Sequence, residues 1–294
     1  MNKKISSVRL AQNDFEFIYC EIKKKFIKNK VVSFLSKEED SEKKDIAKYI
    51  SENGMSIFPY PYVNNYKLQN VEAAKDSDAD MFYIQRNGRR LYMKKSYTSM
   101  FRAKRYYNNI LIEQDEASPH RYVSDTFAPE AGSVILDIGG AEGFFPFDYL
   151  DTVDKVYIFE CDDEWIEALT KTYADYKDKV IIINKFVSDF TDDSHITIDD
   201  FVQQFNLSDK KLFIKIDAEG SEPNIIRGAR KTLNKIKNIR LALCTYHCAK
   251  HEALFRNLFK SWRIEASDGY MLYYYDFNFR EPYLRKGILR ITKV

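Results

Sequence analysis

From residue 134 to about residue 262, short apolar runs alternate with segments whose apolar residues recur at helical spacing. The runs predicted as strands are SVILDI, KVYIFE, KVIIINKFVS, KLFIKID and IRLALCTYH, and the helices between and after them are AEGFFPFDYL, DEWIEALTKTYADY, TIDDFVQQF, EPNIIRGARKTLNKI and HEALFRNLFKSW. Apolar strands that alternate with helices are typical of a parallel sheet covered on both faces. The pattern therefore predicts an α/β fold.

The last part of the chain has a different pattern. GYMLYYYDF and KGILRITKV read as two strands joined by a short link, and such a link favours antiparallel pairing. We therefore expect a Rossmann-like, mostly parallel seven-stranded sheet that ends in an antiparallel C-terminal strand.

The first 120 residues are predicted to form an accessory region. Helical spacing extends over residues 14–36, and a second helix is expected with Ser36 as N-cap and Gly54 as its stop. Asn87-Gly88 supplies the two positive-φ residues of a tight hairpin over residues 81–95, and a helix is expected over 98–114. The predicted domains are thus 1–120, helical with a hairpin, and 121–294, a ligand-binding α/β domain.

Composition narrows the class of protein. Hydrophobic residues make up 45% of the 294 and charged residues 31%, which fits a globular chain, and no run approaches the roughly 18 apolar residues of a membrane span. With no apolar leader segment, we expect a cytoplasmic protein. Four cysteines do not suggest a disulfide framework. A net charge of +2 gives no global field for nucleic acid.

The turn after the first predicted strand contains three glycines, Gly139, Gly140 and Gly143. Missing Cβ atoms let a ligand approach the backbone, and the following helix start offers free N–H groups. Asp137 would repel a pyrophosphate but attract the ammonium group of S-adenosylmethionine (SAM). Glu160, 23 residues later at the end of the second strand, is placed to bind ribose hydroxyls. We favour SAM, while a nicotinamide cofactor or a turn needed only for packing stays open.

The segment from Ile196 to Leu233 carries a family signature. Thr197-Ile198-Asp199, the octapeptide of residues 215–222 (KIDAEGSE) and residues 226–229 (IRGA) resemble hallmarks of the FkbM family of SAM-dependent methyltransferases. NGRRLYM, EQDEASPHRY and LALCTYHCAKHEAL look like its sugar-modifying branch, so the resemblance spans roughly residues 83–254. It implies a class I methyltransferase fold with SAM as cofactor and O-methylation of a nucleotide-activated sugar or a bacterial surface or capsular glycan.

Methyl transfer to oxygen requires alignment and removal of one proton, so catalytic groups are expected at the carboxyl ends of strands. Asp217, Glu219 and Glu222 follow the fourth strand, and His247 ends the fifth with an ordinary pKa suited to proton removal. Each could instead be a capping, turn or core residue. The residues expected to bind the cofactor are Asp137, Gly139, Gly140, Glu142, Gly143, Phe144, Glu160, Cys161, Ser188, Asp189 and Asp217.

Substrate contacts are expected from His120, Arg121, Tyr122 and Lys215, and from Arg89 and Arg90 in a basic hairpin cluster that could hold phosphates. No metal is expected, because Cys244 should lie in a buried strand while His251 lies on the next helix. The alternatives are an RNA or small-amine N-methyltransferase, suggested by the basic aromatic stretch RRLYMKKSYTSMFRAKRYY, and a non-catalytic glycan-binding protein. The favoured partner is a sugar rather than nucleic acid, and a homodimer is possible.

Overall fold

The computed structural model describes Lys24 and residues 26–276 and 279–293. Their contacts define two compact units, one made of the described residues up to Asn65 together with Gly269–Arg285, and the other of Tyr66–Asp268 with the residues from Lys286. The hairpin and helix of residues 81–114 thus belong to the same unit as the large sheet. The division into domains at residue 120 stays a prediction.

The smaller unit is helical. Helix α1 covers residues 26–35, α2 covers Ser41–Asn53, and a 3-10 turn covers Pro61–Asn65. Helix α2 is capped by Asp40, whose side chain accepts from Glu42 N, and it ends at Gly54 with a φ of 88°. The expected N-cap at Ser36 is wrong, since Ser36 N instead bonds to Val32 O at the end of α1. Residues 14–23 of the first predicted helix lie outside the described residues.

The core of this unit combines both helices with the segment near the C-terminus. Its buried side chains are Val31, Leu35, Ile46, Ala47, Ile50, Leu272, Tyr274 and Leu284. GYMLYYYDF was predicted as a strand, and this prediction is wrong. Met271 makes a single antiparallel bridge with Arg285, and Leu272 N bonds to Ile57 O. The apolar residues of the segment are buried by helices rather than by a sheet.

The larger unit begins with an antiparallel sheet of three strands, β1 to β3, which cover Ala73–Asp76, Met81–Arg86 and Arg89–Tyr92. Asn87 and Gly88 join β2 to β3 with φ angles of 50° and 75°, as the Asn-Gly pair predicts. Helix α3, Met100–Glu113, follows and is capped by Ser99.

The central sheet has seven strands in the order β11-β12-β10-β9-β4-β5-β6. They cover Val134–Ile138 (β4), Lys155–Phe159 (β5), Val180–Ile183 (β6), Leu212–Ile216 (β9), Ile239–Cys244 (β10), Arg263–Ala266 (β11) and Ile288–Thr292 (β12). The β4, β5, β6, β9 and β10 strands are mutually parallel, whereas β12 pairs antiparallel with both β10 and β11. The predicted fold class is confirmed, with Arg263–Ala266 in the place that GYMLYYYDF was expected to fill.

Helices cover both faces of this sheet. They are Phe144–Phe147 (α4), Asp163–Thr172 (α5), Ile198–Gln204 (α6), Glu222–Arg227 (α7), Arg230–Lys235 (α8) and His251–Leu258 (α9). A separate pair of parallel strands, Phe186–Val187 (β7) and His195–Ile196 (β8), lies between β6 and α6 in the chain. The Phe201 ring of α6 packs edge-to-face against the rings of Tyr157 and Phe159 on β5.

Two predicted helices are shorter than expected. The helix after the glycines is a single turn, Phe144–Phe147, and all four of its residues are buried. The helix predicted over residues 222–236 is interrupted at Gly228, where a Cβ would lie 2.1 Å from Ser188 O. This close approach fixes the position of β7 next to α7.

Candidate active site

The glycine turn after β4 leaves little room for side chains at three of its positions. Gly139 has a φ of 74°, and a Cβ there would lie 1.9 Å from Asp217 O. A Cβ on Gly140 would lie 2.1 Å from Ile158 Cγ2, and one on Gly143, whose φ is 77°, would be 2.6 Å from Leu169 Cδ2. The glycines therefore bring the turn against β5, α5 and the end of β9.

Glu160 binds this turn directly. Its Oε2 accepts from Ala141 N at 2.8 Å, and its Oε1 accepts from Cys161 N at 2.7 Å and Asp162 N at 2.9 Å. The carboxylate thus joins the end of β5 to the glycine turn and remains half-buried. The neighbouring Cys161 thiol has a pKa raised to about 12 by burial and by the charge of Glu160.

Asp137 and Lys215 form a buried ion pair between β4 and β9. Lys215 Nζ lies 3.0 Å from Asp137 Oδ1 and donates to Gly139 O at 2.5 Å, while the side chains are 5% and 1% exposed. Burial raises the pKa of Asp137 although Lys215 opposes this, and for Lys215 the charges of Asp137 and Asp217 outweigh burial and raise its pKa. Asp137 already has a cationic partner, so an ammonium group of a ligand would have to share the Asp137 carboxylate with Lys215.

Asp217, at the end of β9, is the centre of a polar cluster. Tyr122 Oη donates to its Oδ2 at 2.7 Å and Tyr246 Oη to its Oδ1 at 3.1 Å, while His120 Nε2 lies 3.4 Å from Oδ2. Burial would raise the pKa of Asp217, but the bond and charge of His120, with Lys215 and His247, hold it well below its usual range. Asp217 is therefore a carboxylate at neutral pH.

His247 lies between two carboxylates. Its Nδ1 is 2.8 Å from Glu222 Oε1, and its Nε2 is 3.5 Å from Asp217 Oδ1 and 3.6 Å from Glu219 Oε2. Burial would lower the pKa of His247, but the Glu222 bond and the charges of Asp217, Glu222 and Glu219 raise it above its usual value. The ring is held at Nδ1 by the fully buried carboxylate of Glu222, and its Nε2 faces Asp217 and Glu219 after β9.

Glu222 is held at the start of α7. Its Oε1 accepts from Ala218 N at 3.0 Å and Gly220 N at 3.2 Å, and its Oε2 lies 3.4 Å from His251 Nδ1. Burial would raise the pKa of Glu222, yet the bond and charge of His247 and these backbone donors lower it. Glu222 thus orients His247, whereas Glu219, with its side chain 82% exposed, borders the solvent.

Aromatic rings enclose the polar cluster. The His120 ring lies 5.1 Å from that of Tyr122 and 5.0 Å from that of Tyr246, and Lys215 Nζ lies 5.2 Å from the centre of the Tyr122 ring. Gln114 holds the loop before β4, because its Nε2 donates to His120 O and its Oε1 accepts from Tyr122 N. Arg121 is directed elsewhere, with its Nη1 3.6 Å from Glu116 Oε1.

Two further expected residues line the opposite side of the glycine turn. Glu142 is buried and accepts from Tyr106 Oη at 2.7 Å, and burial raises its pKa. The Phe144 ring lies under the Arg86 guanidinium at 4.4 Å. Both residues therefore attach the turn to the antiparallel sheet and α3.

Ser188 and Asp189 lie after β7. Ser188 N bonds to Ile196 O, and Ser188 Oγ donates to Asp189 Oδ1 at 3.3 Å. Arg227 Nε donates to Asp189 Oδ2 at 3.0 Å, and this bond lowers the Asp189 pKa. Asp189 would have to keep or share this partner if it bound a ligand amine.

The basic hairpin cluster is paired with acids. The pairs are Arg86 with Asp148, Arg89 with Asp151, Arg90 with Asp76, Lys94 with Asp162 and Lys95 with Glu167, at 2.5, 2.7, 3.6, 2.5 and 2.5 Å. Four of these cations join the hairpin region to the residues after α4 and to α5, whereas Arg90 pairs with Asp76 of β1. A phosphate bound here would have to share each cation with its acid.

Two sets of side chains bring three ligand-type atoms within 4.8 Å of one another, and both include Asp217. One adds His120 and Cys244, and the other adds Glu222 and His247. Two tyrosine hydroxyls already donate hydrogen bonds to the Asp217 carboxylate, so its oxygens have partners without a metal ion. The absence of a metal requirement stays a prediction.

Sequence reasoning missed Tyr246 and Gln114. Tyr246 directly precedes His247 at the same strand end, so the strand-end rule that selected the histidine could also have indicated the tyrosine. Gln114 carries no such signal, because its partners depend on how α3 packs.

Comparison with known proteins identifies a family for this chain. Residues 64–265 match the model of the methyltransferase FkbM domain. A solved FkbM methyltransferase from Methylobacillus flagellatus is 16% identical with a TM-score of 0.43, and the alignment covers 86% of this chain but 62% of that protein. No curated protein matches the sequence.

Two other solved structures show lower similarity. An rRNA methylase from Streptococcus thermophilus has 8% identity and a TM-score of 0.36, with 56% of this chain and 87% of that one aligned. A putative methyltransferase from Streptococcus mutans, solved with S-adenosylhomocysteine (SAH), has 14% identity and a TM-score of 0.37, with 56% and 90% aligned.

The family match covers more than half of the chain, which therefore belongs to the FkbM methyltransferase family. This confirms the expected family, that of the SAM-dependent FkbM methyltransferases, and the strand order agrees with the expected Rossmann-like fold. The site residues fit an adenosyl cofactor, since Gly139 and Gly140 leave a turn without side chains and the half-buried Glu160 carboxylate lies beside it. Among the described residues, no helix is both long and apolar enough to cross a bilayer.

Proposed function

We propose that this protein transfers the methyl group of SAM to a hydroxyl of a sugar, either nucleotide-activated or part of a surface glycan, with His247 as general base. The arrangement of His247 carries the proposal. Its Nδ1 is held by Glu222 at 2.8 Å, and its Nε2, the proposed proton acceptor, lies 3.5 Å from Asp217 Oδ1 at the carboxyl end of β9. A base oriented by a buried carboxylate is a recurring catalytic arrangement.

The cofactor supplies an already activated methyl group on a cationic sulfur. His247 Nε2 would take the O–H proton of the acceptor hydroxyl as the oxygen receives the methyl group that bound SAM would supply. The imidazolium cation would then replace the positive charge that the cofactor loses with its methyl group. Asp217 and Glu222 stabilise the imidazolium, and Glu219 and Tyr246 border the place where the acceptor would lie.

The choice of a sugar rests on the resemblance to the sugar-modifying branch and on the polar, aromatic lining around Asp217. An RNA substrate is less favoured, since the basic residues Arg86, Arg89, Arg90, Lys94 and Lys95 are paired with acids. The remaining finer predictions, a cytoplasmic location, a homodimer and contacts of the cofactor with Ser188 and Asp189, are part of this proposal.

The test uses purified protein and SAM with a labelled methyl group. The acceptors are neutral methyl glycosides, nucleotide-diphosphate sugars, extracted polysaccharide and total RNA, and mass spectrometry detects products heavier by one methylene. We expect transfer to a sugar hydroxyl, about 10²- to 10⁴-fold slower in His247→Gln and unchanged in His195→Gln, a histidine of the separate β7–β8 pair. Label only on RNA, or equal rates in both variants, would contradict the proposal.

A further inference from the structure

Helix α3 brings one more carboxylate to the site. Glu113 is the last residue of the helix, and Tyr106, two turns earlier on the same face, donates to Glu142 in the glycine turn at 2.7 Å. The next residue, Gln114, is bonded to the backbone of His120 and Tyr122. Glu113 is therefore fixed between the glycine turn and the loop that covers Asp217.

The Glu113 carboxyl is half-buried, and among the described residues none donates a hydrogen bond to it. The charged groups near it come from three elements: His120 before β4, Glu142 in the glycine turn, and Asp217 and Glu219 after β9. Burial raises the pKa of Glu113 to about 7, the charge of His120 opposes this, and the three carboxylates raise it further. The charge of Glu113 also acts on the Tyr106 and Tyr122 hydroxyls, but these donate their hydrogen bonds to Glu142 and Asp217.

A carboxyl group in this position has acceptor capacity that the protein does not use. Its surroundings are acidic, so a ligand carboxylate or phosphate would meet repulsion from Glu113, Glu219 and Glu142, whereas a hydroxyl would be attracted. A carboxylate with unused hydrogen-bond capacity, next to the site of methyl transfer, is suited to bind a hydrogen-bond donor on the substrate.

On the basis of the proposed function, we propose that Glu113 binds the acceptor sugar. It accepts a hydrogen bond from a hydroxyl next to the one that is methylated, and it selects uncharged sugars over sugars that carry a carboxylate at that position.

The first test compares Glu113→Gln with Glu116→Gln, a matched change three residues away at a side chain that is 92% exposed. The acceptors are neutral methyl hexosides and the corresponding uronates, which differ only by the carboxylate at C6. At about pH 8.5, where the Glu113 carboxyl with its pKa of about 7 is ionised, wild-type protein should use the neutral member of each pair at least about tenfold better in kcat/KM, because a charged hydrogen bond is replaced by repulsion.

Glu113→Gln should lower kcat/KM for the neutral sugar about tenfold, mainly through KM, and reduce the preference over the uronate to about threefold or less. Glu116→Gln should match the wild type, and all three proteins should bind SAH equally in calorimetry. Equal kinetics of Glu113→Gln and Glu116→Gln would overturn this proposal alone. Failure of the wild-type protein to methylate any sugar would overturn the proposed function and this choice of acceptor with it.

The second test needs no acceptor. A ¹³C NMR titration of side-chain carboxyls in the SAH complex, with the Glu113 signal identified by its loss in Glu113→Gln, should give a midpoint near 7. A midpoint near the usual value of about 4.3 would mean that the carboxyl lies in open water away from the site, and would overturn the proposal.

Discussion

The buried pair of Asp137 and Lys215 gives the sharpest prediction for stability. Lys215→Met keeps a side chain of similar length but leaves Asp137, which is 1% exposed, without its cation. Breaking a buried ion pair by removing one partner costs about 3–5 kcal/mol. We expect a loss of this size in the free energy of unfolding at pH 7.

The loss should depend on pH in a known direction. Burial already raises the pKa of Asp137, and removal of Lys215 raises it further above the unfolded value. Between the two pKa values the folded variant binds a proton that the unfolded chain does not, so its stability increases as the pH falls. The deficit relative to wild type should therefore shrink from pH 7 to pH 5.

Two further variants separate the pair from general effects. Asp137→Asn/Lys215→Met removes both charges and should recover most of the loss, to within about 2 kcal/mol of wild type, since a buried pair is often replaceable as a whole. Lys210→Met removes a surface partner of Asp154, with both side chains about half exposed, and should cost no more than about 1 kcal/mol.

Urea unfolding followed by tryptophan fluorescence suits this test, because Trp165 and Trp262, the two tryptophans of the chain, both lie in the larger unit. The reasoning is refuted if Lys215→Met is no less stable than Lys210→Met. It is also refuted if the double variant is as unstable as Lys215→Met.

Three other predictions concern the site. Turnover at saturating substrate should rise with pH through a midpoint above the ordinary histidine value of about 6.5. The reason is that the pKa of His247 is raised and the base must be neutral to take a proton. A flat profile from pH 6 to 9, or a profile unchanged in His247→Gln, would contradict this role. Gly139→Ala should abolish SAH binding or prevent folding, because the new Cβ would overlap Asp217 O at 1.9 Å, whereas Gly132→Ala, where a Cβ meets nothing within 4 Å although φ is 71°, should still bind SAH. Activity should persist in EDTA, given that two tyrosine hydroxyls already bond to Asp217, and a loss that Mg²⁺ or Zn²⁺ restores would show that a cation joins the cluster.

The positions of the parallel strands along the chain could be predicted, because parallel strands buried on both faces need continuous apolar runs. VILDI, KVYIF and LFIKI meet that requirement and form adjacent strands of the central sheet. The same rule failed for GYMLYYYDF, since aromatic residues satisfy a strand pattern equally well when they are buried against α1 and α2. Local pattern does not specify which unit buries a segment.

The site was predictable where strand ends determine it. Glu160 meets the glycine turn, and Asp217, Glu222 and His247 come together, because parallel strands end at one edge of the sheet. The acidic partners of the hairpin cations were not predictable, since Arg86 and Lys95 bind acids that lie 62 and 72 residues further along the chain. The ion pair of Lys215 was not predictable either. The sequence suggests a substrate contact for Lys215, and the structure pairs this lysine with Asp137 on the neighbouring strand.

Cofactor binding at the glycine turn and Glu160 is the claim on which the account depends, and calorimetric titration with SAH tests it most directly. Wild-type protein should bind one SAH per chain. Glu160→Gln should weaken binding about tenfold or more through loss of a charged acceptor for ribose hydroxyls. Glu164→Gln, in the first turn of α5 and bonded to Ser96, should bind like wild type. No saturable heat with the folded wild-type protein, or equal affinity in Glu160→Gln, would contradict the account.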